Sequence, residues 1–294
     1  MTVLVSGATS QIGRFLLPRL VAAQLPVLAV SRHRQPEQQG VRWLAGDLPG
    51  VLRSAAGGSW QAIVSFGPMD PLVDWLAAQP VAPAAKIIAT SSMSVVTKQN
   101  SAQADEQAVV LRLQRGEQGI AAQAARLGMA WTLLRPTLIY GAGIDRSLTP
   151  IVQRARRLRV FPIPMTHGLR QPVHADDIAQ AVMAALAGDA ASGQVLEIGG
   201  GERLDYQQMF QRVHASLAER TLPLYLPAAG LRLLASLVPR ARGPVSRLGQ
   251  DLLADNARLQ ALLGVQPRGF RPDAATWQPM SPAQARARIG TGTC

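Results

Sequence analysis

The residues best suited to chemistry stand at the start of the sequence. Gly7-Ala-Thr-Ser-Gln-Ile-Gly13 follows the apolar run Val3–Ser6 and leads into a helical pattern from Gln11. Main-chain N–H groups at a helix start, reinforced by the helix dipole, bind phosphate. Gly7 permits the tight turn after a strand, and Gly13 lets the helix pack close to a sheet. Ser10 stands between them, where a third glycine would bring backbone up to a pyrophosphate. Serine is the smallest polar replacement, and its hydroxyl is itself available to phosphate. Thr9, Gln11 and Ile12 complete the ring of amides around such a ligand. A strand–helix turn with no ligand is the plainer alternative for a glycine pattern taken alone.

The second apolar run ends in Ser31-Arg-His-Arg34. An acidic residue at that point would hold the adenosine ribose hydroxyls of NAD. An arginine instead pairs with a 2′-phosphate and stacks on adenine. Arg32 therefore favours NADP, with NAD as second choice, against the alternative of an ordinary loop arginine. Elsewhere, no His/Cys cluster has metal-ligand spacing and no Ser/His/Asp triad can be assigned.

The elements that must position these residues follow from hydrophobic period. Strand-length apolar runs at Val3–Ser6, Val27–Ser31, Val41–Ala45, Ala62–Ser65, Lys86–Thr90, Trp131–Arg135 and Val195–Ile198 alternate with helical patterns. Helices are expected to open near Gln11, Pro71, Ala102, Asp176 and Asp205. Short continuous apolar strands separated by helices imply a parallel sheet covered on both faces, an α/β doubly wound (Rossmann) domain. After this, Leu148–Arg159 reads as a basic helix, Phe161-Pro-Ile-Pro164 leads into a loop, and the pattern beyond Gly199-Gly-Gly201 is mainly helical. The expected division is a dinucleotide-binding domain of residues 1–140 plus 171–200, and a small, mainly helical substrate lobe of 141–170 plus 201–294. The tail from Arg268, rich in Pro, Gly and Ala, is expected to be loosely ordered.

Composition narrows the partners. The 294 residues carry a formal charge of +12. The basic residues are nearly all arginine and scattered, apart from Arg154, Arg156, Arg157 and Arg159. No aromatic residues interleave with that cluster as a stacking platform requires, so nucleic acid is not an expected partner. A solvated helix face or a site for a small anionic substrate suits the charge better, and an oligomer is compatible with it. Leu224–Val238 is apolar and flanked by arginines. A helix packed on the lobe is favoured over one lying on a membrane surface, because Pro227 and Gly230 cut the apolar face short. No run of about 18 apolar residues suggests a membrane span. A single cysteine, Cys294, and no recognisable signal peptide suit a cytoplasmic location.

Several further stretches occur in a meaningful order: Gly46-Asp47-Leu48 after the third strand, Ser65-Phe66-Gly67 ending the fourth and Thr90-Ser91-Ser92 ending the fifth. Then come Trp131-Thr-Leu-Leu-Arg-Pro136 with Tyr140-Gly141, Val173-His-Ala-Asp-Asp-Ile-Ala179, and Gly193-Gln-Val-Leu-Glu-Ile-Gly199. With the glycine turn, these make the chain resemble the short-chain dehydrogenase/reductase superfamily, on its extended, epimerase/dehydratase-like side, across most of residues 1–205. The resemblance implies that Asp47 and Leu48 contact adenine, that Ser65, Phe66, Gly67 and Ser91 line the cofactor, and that Pro136 sits beside the nicotinamide end. It also implies that Ser92 matches a catalytic serine. In the Val173–Ala179 stretch, Asp176 or Asp177 is expected to cap the following helix, and His174 to order the loop rather than transfer protons.

Enzymes of that family use a tyrosine and a lysine four residues later. The lysine lowers the tyrosine pKa, and the tyrosine moves the proton as hydride moves. Here Tyr140, Tyr206 and Tyr225 are the only tyrosines, and none has a lysine four residues on. The only lysines, Lys86 and Lys98, follow Ala82 and Ser94 at that spacing. The helix expected to carry the pair offers Arg112, Arg115 and Glu117, the last read as an exposed carboxylate. Tyr140 and Ser92 are the remaining catalytic candidates. The leading expectation is an NADP-dependent oxidoreductase or isomerase with an atypical acid; the alternative is a non-catalytic NADP-binding sensor or scaffold.

Overall fold

The computed structural model describes residues 2–46, 48, 50–51, 59–101, 103–231, 248–280 and 284–285. Its centre is a sheet built from β1 (Val3–Ser6), β2 (Val27–Ser31), β3 (Val41–Ala45), β4 (Trp60–Ser65), β5 (Ala84–Thr90), β6 (Ala130–Pro136) and a late strand, Gln194–Ile198. The spatial order is β3-β2-β1-β4-β5-β6 followed by Gln194–Ile198, and every neighbouring pair is parallel. The order turns back at β1, the switch point of a doubly wound sheet, where crevices for ligands open at the carboxyl ends of strands.

Strand pleat divides the apolar residues between two cores. Val3 and Val5 of β1, with Ala62 and Val64 of β4, face one layer, whereas Leu4 and Ile63 face the other. The first layer holds α1 (Gln11–Ala22), packed against a helix at Ala175–Ala187. The second holds α2 (Asp70–Ala77) and, beyond the short α3 (Ser94–Thr97), the long α4 (Ala104–Leu127). The seven expected strands and the expected helix starts all fall on observed elements, within two residues at each boundary.

Beyond β6 the chain forms β7 (Ile139–Tyr140), α5 (Thr149–Leu158), β8 (Val160–Met165), β9 (Leu169–Arg170), β10 (Val173–His174), α6 (Ala175–Ala187) and β11 (Gln194–Ile198). Then follow β12 (Leu204–Asp205), α7 (Tyr206–Ala215), β13 (Leu222–Pro227) and α8 (Ala257–Leu263). A third core gathers Tyr140, Val152, Phe161, Phe210, Phe270 and Trp277. Leu259 of α8 and Met280 instead join the core beneath α1 and α6.

Two expectations are corrected here, and one stretch with no expected element acquires one. Phe161–Pro164 is part of strand β8, paired in parallel with β13. Leu224–Pro227, expected in a helix, belongs to β13; prolines within both strands are tolerated because each has an edge that needs no N–H donor. Residues 228–231 of that stretch are helical as expected, and 232–238 lie outside the described residues. The tail from Arg268 is not loose as far as Met280: Phe270, Trp277 and Met280 are buried, and Asp273 caps a short 3-10 turn at Ala274–Trp277.

Candidate functional site

The glycine turn forms as its residue types demand. Gly7 has φ +68, a left-handed conformation that a side chain would strain, and a Cβ there would stand 3.1 Å from the Phe66 backbone. A Cβ on Gly13 would come within 3.0 Å of the Ala8 carbonyl group, so close helix–sheet packing requires glycine. Ser10 is the N-cap of α1, and its hydroxyl accepts from the Gly13 amide at 3.2 Å. The serine at the expected glycine position thus closes the first turn of the helix. Arg14, the next residue, is half-buried and donates to the Met280 carbonyl; burial holds its pKa below the usual arginine value.

The neighbouring strand ends continue this edge. Ser6 pairs with Ser65, and the Phe66 amide donates to the Ser6 carbonyl at 3.0 Å. Ser65 pairs with Ala89 of β5, and the Ser91 amide donates to Leu134 of β6 at 2.8 Å. The Met93 amide donates to the Pro136 carbonyl at 3.0 Å. Buried along the edge are three side-chain oxygens with no hydrogen-bond partner among the described residues: Gln11 Oε1, Ser65 Oγ and Ser91 Oγ. A buried polar atom left unpaired costs about 1–3 kcal/mol, so three in one crevice fit a polar ligand that supplies the missing partners. With the Gly7 and Gly13 cradle, these residues suit a dinucleotide laid across β1, β4 and β5. Gly67 follows directly, and a Cβ there would stand 3.8 Å from the Ser6 hydroxyl.

At the end of β2, Arg32 is exposed and its side chain has no hydrogen bond or ion pair among the described residues. The Ser31 hydroxyl accepts from the His33 amide at 3.3 Å and orders the turn that carries it. Leu48 packs against the second core, while Asp47 lies outside the described residues. Thr9 and Ile12 sit in the turn and first helical residues, Ile12 buried beneath them.

The two catalytic candidates are not brought together. Ser92 Oγ accepts from the Ser94 amide and donates to Ser94 Oγ, each at 3.1 Å, and so starts α3. Tyr140 is buried in the lobe core, its ring 4.8 Å from Phe270 and 5.1 Å from His174, perpendicular to the latter. Burial pushes the phenol pKa up, and no hydrogen bond joins Tyr140 to Ser92. Both lysines are committed elsewhere. Lys86 donates to the carbonyls of Ala185 and Gly188 at 3.0 and 2.8 Å, closing the end of α6. Lys98 pairs with Glu106 at 3.2 Å.

Sequence reasoning missed two charge clusters. Glu117 is buried, not exposed, and pairs bidentately with Arg135 at 2.8 and 2.5 Å, which raises the arginine pKa. That contact joins α4 to the end of β6. The second cluster corrects the capping expectation: His174, not an aspartate, caps α6, its Nδ1 accepting from the Asp176 amide at 3.1 Å. This leaves both carboxylates free for ion pairs. Arg19 grips Asp176 at 2.8 and 2.9 Å. Arg268 reaches Asp177 and Asp176, both at 2.7 Å. Burial alone would raise the Asp176 pKa, but Arg19 and Arg268 outweigh it and hold it low. At Asp177 burial wins and the pKa is raised. The only advance signal was the adjacent Asp176-Asp177 pair; its arginine partners lie 157 and 91 residues away. A cavity of about 450 Å³ beside this cluster is lined by Tyr140, His174, Arg268 and Arg271, and by none of the glycine-turn residues.

No family model matches the sequence, and no curated relative does. Solved structures do. MoeE5, in complex with UDP-glucuronic acid and NAD, aligns over 98% of this chain and 100% of its own, at TM-score 0.67 and 20% identity. The epimerase Mth375 from Methanothermobacter thermautotrophicus aligns over 94% and 90%, at TM-score 0.71 and 16% identity. The UDP-glucuronic acid 4-epimerase from Bacillus cereus, in complex with NAD, aligns over 98% and 99%, at TM-score 0.67 and 15% identity. The chain therefore shares the fold of these proteins, sheet and lobe together.

Proposed function

We propose that this protein binds a nicotinamide dinucleotide, NADP in preference to NAD, across the carboxyl edge of β1, β4 and β5, and acts as an oxidoreductase or isomerase on a small molecule, an anionic one suiting the chain's charge. The observation that carries the reading is the row of buried oxygens without a partner among the described residues, Gln11 Oε1, Ser65 Oγ and Ser91 Oγ, beside the positive-φ Gly7. In this reading, the amides from Thr9 to Gly13 face the pyrophosphate and Arg32 faces the 2′-phosphate. Asp47 and Leu48 border the adenine. Ser65, Phe66, Gly67 and Ser91 line the middle of the groove, and Pro136 borders the ring. The nicotinamide, when bound, supplies or accepts hydride. The lobe, residues 141–170 plus 201–294 with α8 reaching back to the sheet, covers the substrate. Fold similarity to proteins crystallised with NAD and UDP-sugars supports a nicotinamide cofactor without choosing between its two forms.

No Tyr-x-x-x-Lys pair supplies the proton. Ser92 is the hydroxyl we place toward the substrate; in a reduction it would give its proton to the substrate and regain one through Ser94 Oγ, its hydrogen-bond partner, from solvent. Tyr140, locked among His174 and Phe270, positions the Gly141 loop. The commitment of Lys86 and Lys98 to other contacts favours a second reading, a non-catalytic NADP-binding sensor or scaffold. Calorimetry with NADPH and NADH tests the binding claim. Absence of heat and of any melting shift from either, at millimolar concentration, ends it. Under an enzyme reading, oxidation of bound NADPH by a carbonyl or enone panel is expected to fall in Ser92→Ala with NADPH affinity unchanged. No turnover on any member favours the binder.

A further inference from the structure

Away from the glycine turn, the edge formed by α5 and β13 is built unlike the rest of the surface. Leu158, Leu222, Leu224 and Tyr225 are exposed by 64%, 72%, 50% and 47%. The segment is one continuous feature: the Leu222 amide donates to the Arg159 carbonyl at 2.8 Å, and β13 runs in register with β8 from Val160. Successive side chains of a strand point to opposite faces. Leu222 and Leu224 therefore point one way and Pro223 and Tyr225 the other, yet all four are exposed. A rigid protein partner covers one face of a strand; a surface that flows around the strand covers both.

Charge surrounds this apolar edge. Arg154, Arg157 and Leu158 share the outer face of α5, opposite buried Val152 and Ala155. Arg159 ends the helix and Arg220 precedes β13. The side chains of Arg154, Arg157, Arg159 and Arg220 are exposed and make no hydrogen bond or salt bridge among the described residues; the nearby carboxylate, Glu219, is taken by Arg156 at 3.0 Å. Exposed leucines and a tyrosine rimmed by exposed arginines suit the boundary of an anionic bilayer: the apolar groups enter the acyl region and the guanidinium groups meet phosphate. Two prolines in the six residues of β13 remove N–H donors that an added strand from a second copy would need.

We propose that this protein docks peripherally on an anionic lipid surface through β13 and the outer face of α5. The inference is independent of the cofactor reading and involves no span; no described helix is long and apolar enough to cross a membrane. The test is flotation of the full chain with vesicles of phosphatidylcholine alone or mixed with phosphatidylglycerol. Wild type is expected to float with the mixed vesicles and not with the neutral ones. L222S/L224S and, separately, R154E/R157E are each expected to weaken that binding roughly tenfold or more at an unchanged melting temperature. L158S, on the helix rather than the strand, gives the same readout if the strand variant misfolds. Failure of folded wild type to float with anionic vesicles overturns the proposal, as does flotation indifferent to the leucine substitutions. Two further results also overturn it: a dimer of wild type that L222S/L224S converts to monomer, and a preference for duplex DNA over anionic vesicles.

Discussion

Two polar clusters flank α1, and they are opposites. Along the carboxyl edge of β1, β4 and β5, Gln11, Ser65 and Ser91 bury oxygens that nothing in the described chain satisfies. Behind α1, Arg19, Asp176, Asp177 and Arg268 satisfy one another with short bidentate contacts, and His174 closes the adjoining helix end. The first cluster leaves its hydrogen-bonding capacity open and the second uses it up. An open cluster has room for a ligand to complete it; a closed one fastens the lobe tail to the half built on the sheet. Residues of the first are therefore expected to matter mostly for affinity, and those of the second mostly for stability.

The sharpest test of that contrast is Arg268→Ala. It strips a partner from two buried carboxylates, and a loss of roughly 2–3 kcal/mol in urea unfolding is expected, reduced from the fully buried case because Arg268 is 45% exposed. A loss under about 0.5 kcal/mol would show that the cluster does not fasten the tail. Gly13→Ala comes next. It forces a methyl group against the Ala8 carbonyl and should cost roughly 1–3 kcal/mol while abolishing measurable NADPH binding. Asp176→Asn probes the sign of the closed cluster. The Asp176 pKa is held below 3.8, so its contribution is present above that value and lost as pH falls through the lower folded-state pKa. The destabilisation caused by the variant should be largest at neutral pH and should shrink in strong acid. Asp177, with its pKa raised, works in the opposite sense: its contribution is greatest below 3.8 and disappears as pH rises through the folded-state value.

On the open edge, Arg32→Asp is expected to weaken NADPH binding roughly tenfold and to leave NADH nearly unchanged. Equal losses would show that Arg32 does not read a 2′-phosphate. The smallest effect on the fold is predicted for Ser65→Ala. Unfolding should stay within about 0.5 kcal/mol of wild type or improve, because an unsatisfied hydroxyl is removed, while cofactor affinity drops severalfold. A destabilisation beyond about 1 kcal/mol would mean that Ser65 has a structural partner after all, and the contrast between the two clusters would fail.

The open edge was legible in the sequence because its parts are local. Gly7, Ser10 and Gly13 lie within seven residues, and turn geometry and capping operate at that range. The strand ends that carry Ser65, Ser91 and Arg32 are marked by the same apolar runs that mark the sheet. The absent tyrosine–lysine spacing could likewise be counted directly. Glu117 was misread because its partner, Arg135, lies 18 residues away on another element. From the sequence it is indistinguishable from a solvated carboxylate beside Arg115. Asp176 and Asp177 looked like helix caps for the same reason: the histidine before them took that role, and their arginines come from α1 and from the tail.

Sequence alone determined the layering, the strand order's parallel character, the glycine turn and the absence of a tyrosine–lysine spacing. Each of these follows from hydrophobic period or from the conformational limits of single residues. Only the tertiary structure decided which charges are buried and paired, that Tyr140 is buried in the lobe core, that the proline-rich segments pair as strands, and that the tail is clamped down. Those outcomes depend on which distant residues meet. No local period encodes that meeting, which is set by packing the whole chain around its three cores.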